Sequence, residues 1–184
     1  LRLGLWRTRR EVTQFLAIPV AVQRPPSHAG GVIDLGRRST GLSLSHHTRT
    51  ARGAWAAGID LGTLGEDRRG YENFIGTTLG VRGRLRRDET NRVRSSEAWL
   101  SGETRWGDDW SGLAAIRHGR LRVTSRDHYI AASNGDDSGR LDYSETAFSA
   151  GVARRFGGGE LFASLGRGYE TPTVTELAYR PDGT

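Results

Sequence analysis

The residue types in this chain that could do chemistry gather in one stretch. Between positions 62 and 94 the sequence reads Glu66-Asp67-Arg68-Arg69-Gly70-Tyr71-Glu72-Asn73-Phe74, and then Arg84-Leu85-Arg86-Arg87-Asp88-Glu89-Thr90-Asn91-Arg92-Val93. Guanidinium groups beside a phenol can hold an anionic or aromatic ligand by charge-assisted hydrogen bonds and stacking. On that ground Arg68, Arg69, Tyr71, Arg86 and Arg87 are the ligand-binding candidates, carried on a long loop. The neighbouring acids can equally pair with these arginines and keep the loop folded, so both readings stand.

Other constellations carry less. His46-His47 resembles a metal pair, but adjacent residues on a strand point to opposite faces and cannot easily share one ion. His28, His118 and His128 have no ligand partner nearby in sequence. Asp108-Asp109 belongs to a tight turn, where Asp bonds its own backbone. Asp136-Asp137 lies in the turn-rich run Ser133-Asn134-Gly135-Asp136-Asp137-Ser138-Gly139, which lacks calcium-loop spacing. Gly80-Val81-Arg82-Gly83 lacks the end of a phosphate loop, and Gly166-Arg167-Gly168 is a strand end rather than a dinucleotide turn. No nucleophile elbow occurs. With no cysteine in the chain, disulfide frameworks and thiolate zinc sites are excluded. No catalytic residue, metal ligand or cofactor is expected.

The elements that must position these residues are strands. Hydrophobic residues make up 35% of the 184 residues and glycine numbers 26, too thin and too interrupted for a dense soluble core. Fifteen aromatics (Trp 5, Tyr 5, Phe 5) argue against disorder. A sheet with one apolar and one polar face satisfies both observations. Apolar residues recur at period two: Phe148, Ala150 and Val152 on one side, Leu161, Ala163, Leu165 and Tyr169 in the next segment, with Gly157-Gly158-Gly159 between. Arg154 interrupts the first of these. A second hairpin runs through Ala98, Leu100, Thr104 and Trp106, turns at Gly107-Asp108-Asp109, and continues from Trp110 to about Val123. A third joins Thr40–Thr48, with Leu42 and Leu44 on one face, to Gly53–Leu61, with Trp55, Ala57, Ile59 and Leu61. The first strand begins at Leu1 and reaches about Leu16. About seven strands follow from this count.

The connections alternate strictly in length. Short ones lie near 49–52, 107–109 and 157–159; long ones lie near 17–38, 62–94 and 124–140, and another begins near 170. Outer-membrane barrels need that order, with short turns toward the periplasm and long loops outside. No stretch approaches a transmembrane helix. The expected fold is therefore all-β, an antiparallel transmembrane β-barrel segment of about seven strands, with Trp106, Trp110, Phe156 and Tyr169 as interfacial aromatics. Seven strands do not close an even-numbered barrel, the chain has no Met, and it stops just after Pro181-Asp182-Gly183; a piece of a longer protein is expected. The net charge is +6, all 27 basic residues being Arg. It reads either as attraction to anions, such as lipopolysaccharide phosphates, nucleic acid or an acidic ligand, or as a genome that encodes Arg in place of Lys.

Several runs resemble a known family. The run Glu66–Phe74, the run Leu85–Val93, the ending Gly166-Arg167-Gly168-Tyr169-Glu170-Thr171-Pro172-Thr173-Val174-Thr175-Glu176-Leu177, and the shorter Val12-Thr13-Gln14-Phe15-Leu16 and Gly30-Gly31-Val32-Ile33-Asp34-Leu35 are similar to barrel segments of TonB-dependent outer-membrane receptors. The last strand end, with its aromatic, Thr-Pro-Thr and Glu-Leu, is the most specific. The resemblance implies a bacterial outer-membrane location, a 22-stranded barrel with an N-terminal plug, and TonB-energised import of ferric siderophores or a similar scarce ligand. On that view residues 1–184 are part of the barrel domain, and the plug and the terminal strand lie elsewhere. The implied partners are that ligand, the TonB system and outer-membrane lipid, with no nucleic acid and no enzymatic activity. Two alternatives remain: a passive porin-like channel and a soluble β-rich binding module.

Overall fold

Alternation of side chains at period two becomes one antiparallel sheet. The computed structural model describes residues 1–131 and 134–170; Ser133, the run Thr171–Leu177 and the turn signal Pro181-Asp182-Gly183 lie outside them. Seven long strands are β1 (Arg2–Phe15), β2 (Val32–Thr50), β3 (Gly53–Tyr71), β6 (Leu85–Trp106), β7 (Trp110–Asp127), β8 (Gly139–Phe156) and β9 (Gly159–Arg167). A four-residue helical turn, α1 (Val20–Gln23), lies between β1 and β2, and a small hairpin of β4 (Phe74–Ile75) and β5 (Thr78–Leu79) between β3 and β6. The order across the sheet is β1-β2-β3-β6-β7-β8-β9, every pair antiparallel and consecutive. Among the described residues the sheet does not close.

Register makes the two faces unlike. Leu3 stands opposite Leu44, which stands opposite Ile59, which stands opposite Ala98. One row along, Ala57, Leu100, Ile116 and Phe148 face one another in turn. Val152 and Ala163 continue the same side onto β9. The other face carries Ser43, Asp60, Glu97, Arg117 and Glu145, with Ser39, Ser101 and Ser149 along the same strands.

Burial is inverted relative to a soluble protein. Along β3, alternate residues from Trp55 to Asp67 are exposed, while their neighbours from Ala54 to Leu64 are half-buried and Glu66 is buried. The apolar side is the exposed one. Val32 and Val123 are the only buried hydrophobic residues described, whereas Leu3, Leu5, Trp55, Leu61, Leu100, Ile116, Phe148 and Leu165 all lie open. An apolar surface of that extent in water would be an association hazard; against hydrocarbon it is at its lowest free energy. No described helix is long and apolar enough to cross a membrane. The strands between β1 and β9 pair with a neighbour on both sides, the backbone arrangement that a sheet in lipid requires.

All the short turns lie at one end. Thr50 pairs with Gly53, Trp106 with Trp110 and Phe156 with Gly159, and Gly107 and Gly157 take the left-handed conformations (φ 69° and 49°) that these tight reversals favour in glycine. At the other end the connections are longer but less so than the alternation predicts. The expected loops at 17–38, 62–94 and 124–140 contract to 16–31, 72–84 and 128–138, because the strands run on. β6 has 22 residues and β2 and β3 have 19 each. Their outer halves are polar on both faces, so period-two hydrophobicity vanishes there although the ladder persists. Tyr169 also departs from expectation. It lies beyond β9 and turns to the polar face, where the guanidinium of Arg117 sits 5.1 Å from its ring centre; it is not an interfacial residue of the apolar side.

Candidate functional site

The polar face is built by side chains that lean over glycines. A Cβ on Gly41 would overlap the ring of Trp6, and one on Gly58 would overlap the indole of Trp99. Each tryptophan therefore lies flat along the sheet rather than standing off it. The Trp99 indole N–H donates to Asp60 at 2.9 Å, and His47 meets the same indole edge-on at 6.4 Å between ring centres. Beside them Arg117 faces Glu97 at 3.5 Å and lies over Tyr169. Trp6, Asp60, Glu97, Arg117, Tyr143 and Tyr169 are among the residues lining one cavity of about 290 Å³ on this face. Aromatic rings, two arginines (Arg117 and Arg120) and three carboxylates (Asp60, Glu97 and Glu145) around one cavity suit a ligand with both flat and charged parts.

Gly58→Val is expected to unseat Trp99 and break its bond to Asp60. Overpacking of this kind costs about 1–3 kcal/mol. A red-shifted, solvent-quenched tryptophan emission with a lowered denaturant midpoint would show it; an unchanged spectrum would contradict the packing.

Farther along, toward the long connections, the arginine candidates are dispersed. Arg68, Arg69 and Tyr71 lie at the end of β3 and Arg86 and Arg87 at the start of β6, so none is on a loop as the sequence suggests. Parity then divides them. Arg68 is opposite Glu89, on the polar face, and Arg87 shares that face, its guanidinium 2.5 Å from Glu89. Arg69 is on the other side, opposite Asp88 and 3.4 Å from it. Tyr71 shares that side, with Arg82 stacked 4.8 Å from its ring centre and reaching Asp34 at 3.0 Å. Arg86 falls at the register shift beside Gly70 and Tyr71 and belongs to neither row. The structure thus brings Arg68 and Arg87 to one surface, separates Arg69 and Tyr71 from them, and buries Arg86.

That burial reveals residues no sequence pattern marked. Glu72 accepts from Arg84 at 2.9 and 3.1 Å and from Arg86 at 3.1 Å. The side chains of Arg86 and Glu72 are 7% and 4% exposed, so this is a pair taken out of water. Arg86 also donates to the Pro25 carbonyl, across to the connection between β1 and β2. Gln23, fully buried, and Asn73 exchange bonds in both directions: Gln23 Nε2 donates to Asn73 Oδ1 at 2.7 Å, and the Asn73 backbone N–H donates to Gln23 Oε1 at 3.1 Å. Asn73 Nδ2 further donates to the Leu16 carbonyl at 2.7 Å. Two long connections are thereby locked into a single cap at one end of the sheet. The Glu72 carboxyl is held below the usual carboxylate range, first by its hydrogen bond from Arg84 and then by the charges of Arg84 and Arg86, with burial opposing.

The histidines occupy separate surroundings. His46 bonds Thr48 and His47 bonds Ser45, on opposite faces, while His118 meets Thr146 at 2.9 Å and His128 meets Thr90 at 3.2 Å. Among the described residues no group of three His, Asp or Glu side chains could hold a metal ion.

Set against known protein families, residues 10–184 match the model described as TonB dependent receptor-like, beta-barrel.

Proposed function

The chain belongs to the TonB-dependent receptor-like β-barrel family, and from that premise we propose that its barrel serves the TonB-energised import of a ferric siderophore or a similarly scarce ligand across the bacterial outer membrane. The family is one of outer-membrane receptors and transporters rather than enzymes. The observation that carries the reading is the inverted sheet: an exposed apolar side suited to lipid, and a half-buried polar side on which Trp6, Trp99, Arg117 and Tyr169 gather. In this reading the polar side faces the lumen, and the ligand passes along it.

Arg68 and Arg87 are the arginine candidates that share the lumen side with a route inward. A ligand bearing carboxylates or catecholates would meet their guanidiniums before reaching the aromatic cavity. The test is uptake of labelled ferric siderophore by cells making the full chain, with and without a protonophore. Energy-dependent uptake is expected, and Arg68→Ala with Arg87→Ala should weaken ligand binding about tenfold, the order of one charge-assisted hydrogen bond. Uptake indifferent to the protonophore would favour a passive channel instead. Unchanged affinity in the double variant would remove these two arginines from the ligand path.

A further inference from the structure

A row of apolar side chains crosses the polar face of the sheet. Leu64 of β3 stands opposite Val93 of β6, Val93 opposite Val123 of β7, and Val123 opposite Leu141 of β8. Strand parity puts all four on the side of Asp60, Glu97, Arg117 and Glu145, so they point away from the exposed apolar side. The inner wall of a membrane barrel is ordinarily polar, and this row departs from that rule. Leu64 and Val93 are half-buried, Val123 is 5% exposed and Leu141 is 40% exposed. The row is thus an apolar strip lying open along one edge, not a closed core.

The strip is bounded by chemistry of a different kind on each side. Toward the long connections the next row is Glu66, Asn91 and Ser125, with Arg37 donating to Glu66 at 2.8 Å. One row beyond, Arg68 stands opposite Glu89. Toward the short turns the next row is Gly62, Ser95, Leu121 and Tyr143, and all four line the cavity of about 290 Å³ that also holds Arg117. The strip therefore runs directly into the cavity wall. Across its three strand intervals, each about 4.8 Å, it is about 14 Å long. Guanidiniums on either side of it favour an anionic group, whereas the strip itself favours a segment that needs no hydrogen bonds.

We propose that this strip seats an aliphatic arm of the imported ligand, which makes the ligand class an anionic chelate carrying an alkyl or acyl chain. The charged head lies in the cavity against Arg117, and the arm lies across Leu64, Val93 and Leu141. The inference deepens the import reading above and rests on it, since it needs the polar face to line the ligand's path.

The test compares two ferric tricatecholate chelates that differ in one arm only, acetyl or octanoyl. Their affinities for the full chain in phospholipid nanodiscs are measured with radiolabelled iron, after subtracting retention by empty nanodiscs. Each buried methylene is worth about fourfold in affinity, so with half of the added methylenes seated the octanoyl form should bind about fiftyfold more tightly. Leu64→Asn combined with Val93→Thr, which nearly keeps the side-chain shapes, should remove most of that gain and leave the affinity of the acetyl form unchanged. Equal affinities of the two chelates for the unaltered chain overturn the inference, whether or not the variant folds, and leave the import reading standing. A gain that survives both substitutions overturns the assignment to this strip. If neither chelate binds the unaltered chain, import of such chelates is refuted and the inference falls with it.

Discussion

Replacing Glu72 with Gln is expected to loosen the cap formed by residues 16–31 and 72–84, with a cost of about 3–5 kcal/mol, the range for stranding one member of a buried ion pair. Arg86 cannot follow its lost partner into water, because it is itself buried and anchored on the Pro25 carbonyl. The effect should stay local, since β2, β3 and β6 pair along their full lengths independently of the cap. Hydrogen exchange should therefore accelerate at Leu16, Gly31, Glu72 and Gly83, whose backbone N–H groups close the cap, and not in the strands. Acid should act on the same contact. A depressed carboxyl contributes stability that is complete above the unfolded value of about 4.3 and is lost as pH falls through the lower folded value. The unaltered cap should thus loosen only at pH below about 4, and the Gln variant should show no such acid step. Slow exchange at these amides in the variant at neutral pH would contradict the buried-pair account.

A single-residue shift on β6 should separate the two faces. Leu100 lies midway between Trp106 and Arg94 on the apolar side, and Ser101 is its neighbour on the polar side. Leu100→Arg places a charge near the middle of the hydrocarbon and should cost about 2–4 kcal/mol, as arginine does at the midplane of a lipid-facing barrel wall. Ser101→Arg should cost well under half of that, because its side chain points to the watered side. Urea titration of the full chain folded in phospholipid vesicles reads both. Equal costs at the two positions would mean that neither side faces lipid, as a soluble β-rich module requires.

Much of this arrangement is legible in the sequence where lipid imposes a pattern. Leu42 and Leu44, or Trp55 through Leu61, must alternate because one face meets hydrocarbon, and Gly107 and Gly157 mark turns that need positive φ. Above the membrane that constraint is lifted. Arg68 faces Glu89 and Asp67 faces Thr90 across a ladder as regular as any below it, but nothing hydrophobic announces the strand, so this region reads as loop. Proximity along the chain then groups the candidate arginines. Strand parity separates Arg68 from Arg69, but it applies only where a strand is recognised. The Gln23–Asn73 pair joins residues fifty positions apart, and no local spacing could announce it. Trp99 and Asp60 are likewise matched only by register between β3 and β6.

The unexpected length of those strands alters the thermodynamics of capture. Residues 62–71 and 85–94 would, as a loose loop, have to be ordered each time a solute arrived, at about 1–2 kcal/mol of backbone entropy per residue fixed. Held instead in the β3–β6 ladder, they are ordered once, when the chain folds. In the proposed role, association at this rim would draw only on the freedom of the solute and of a few side-chain rotamers. A rim held in a ladder keeps its shape between encounters, so a solute binding there would be selected by fit rather than by rearrangement.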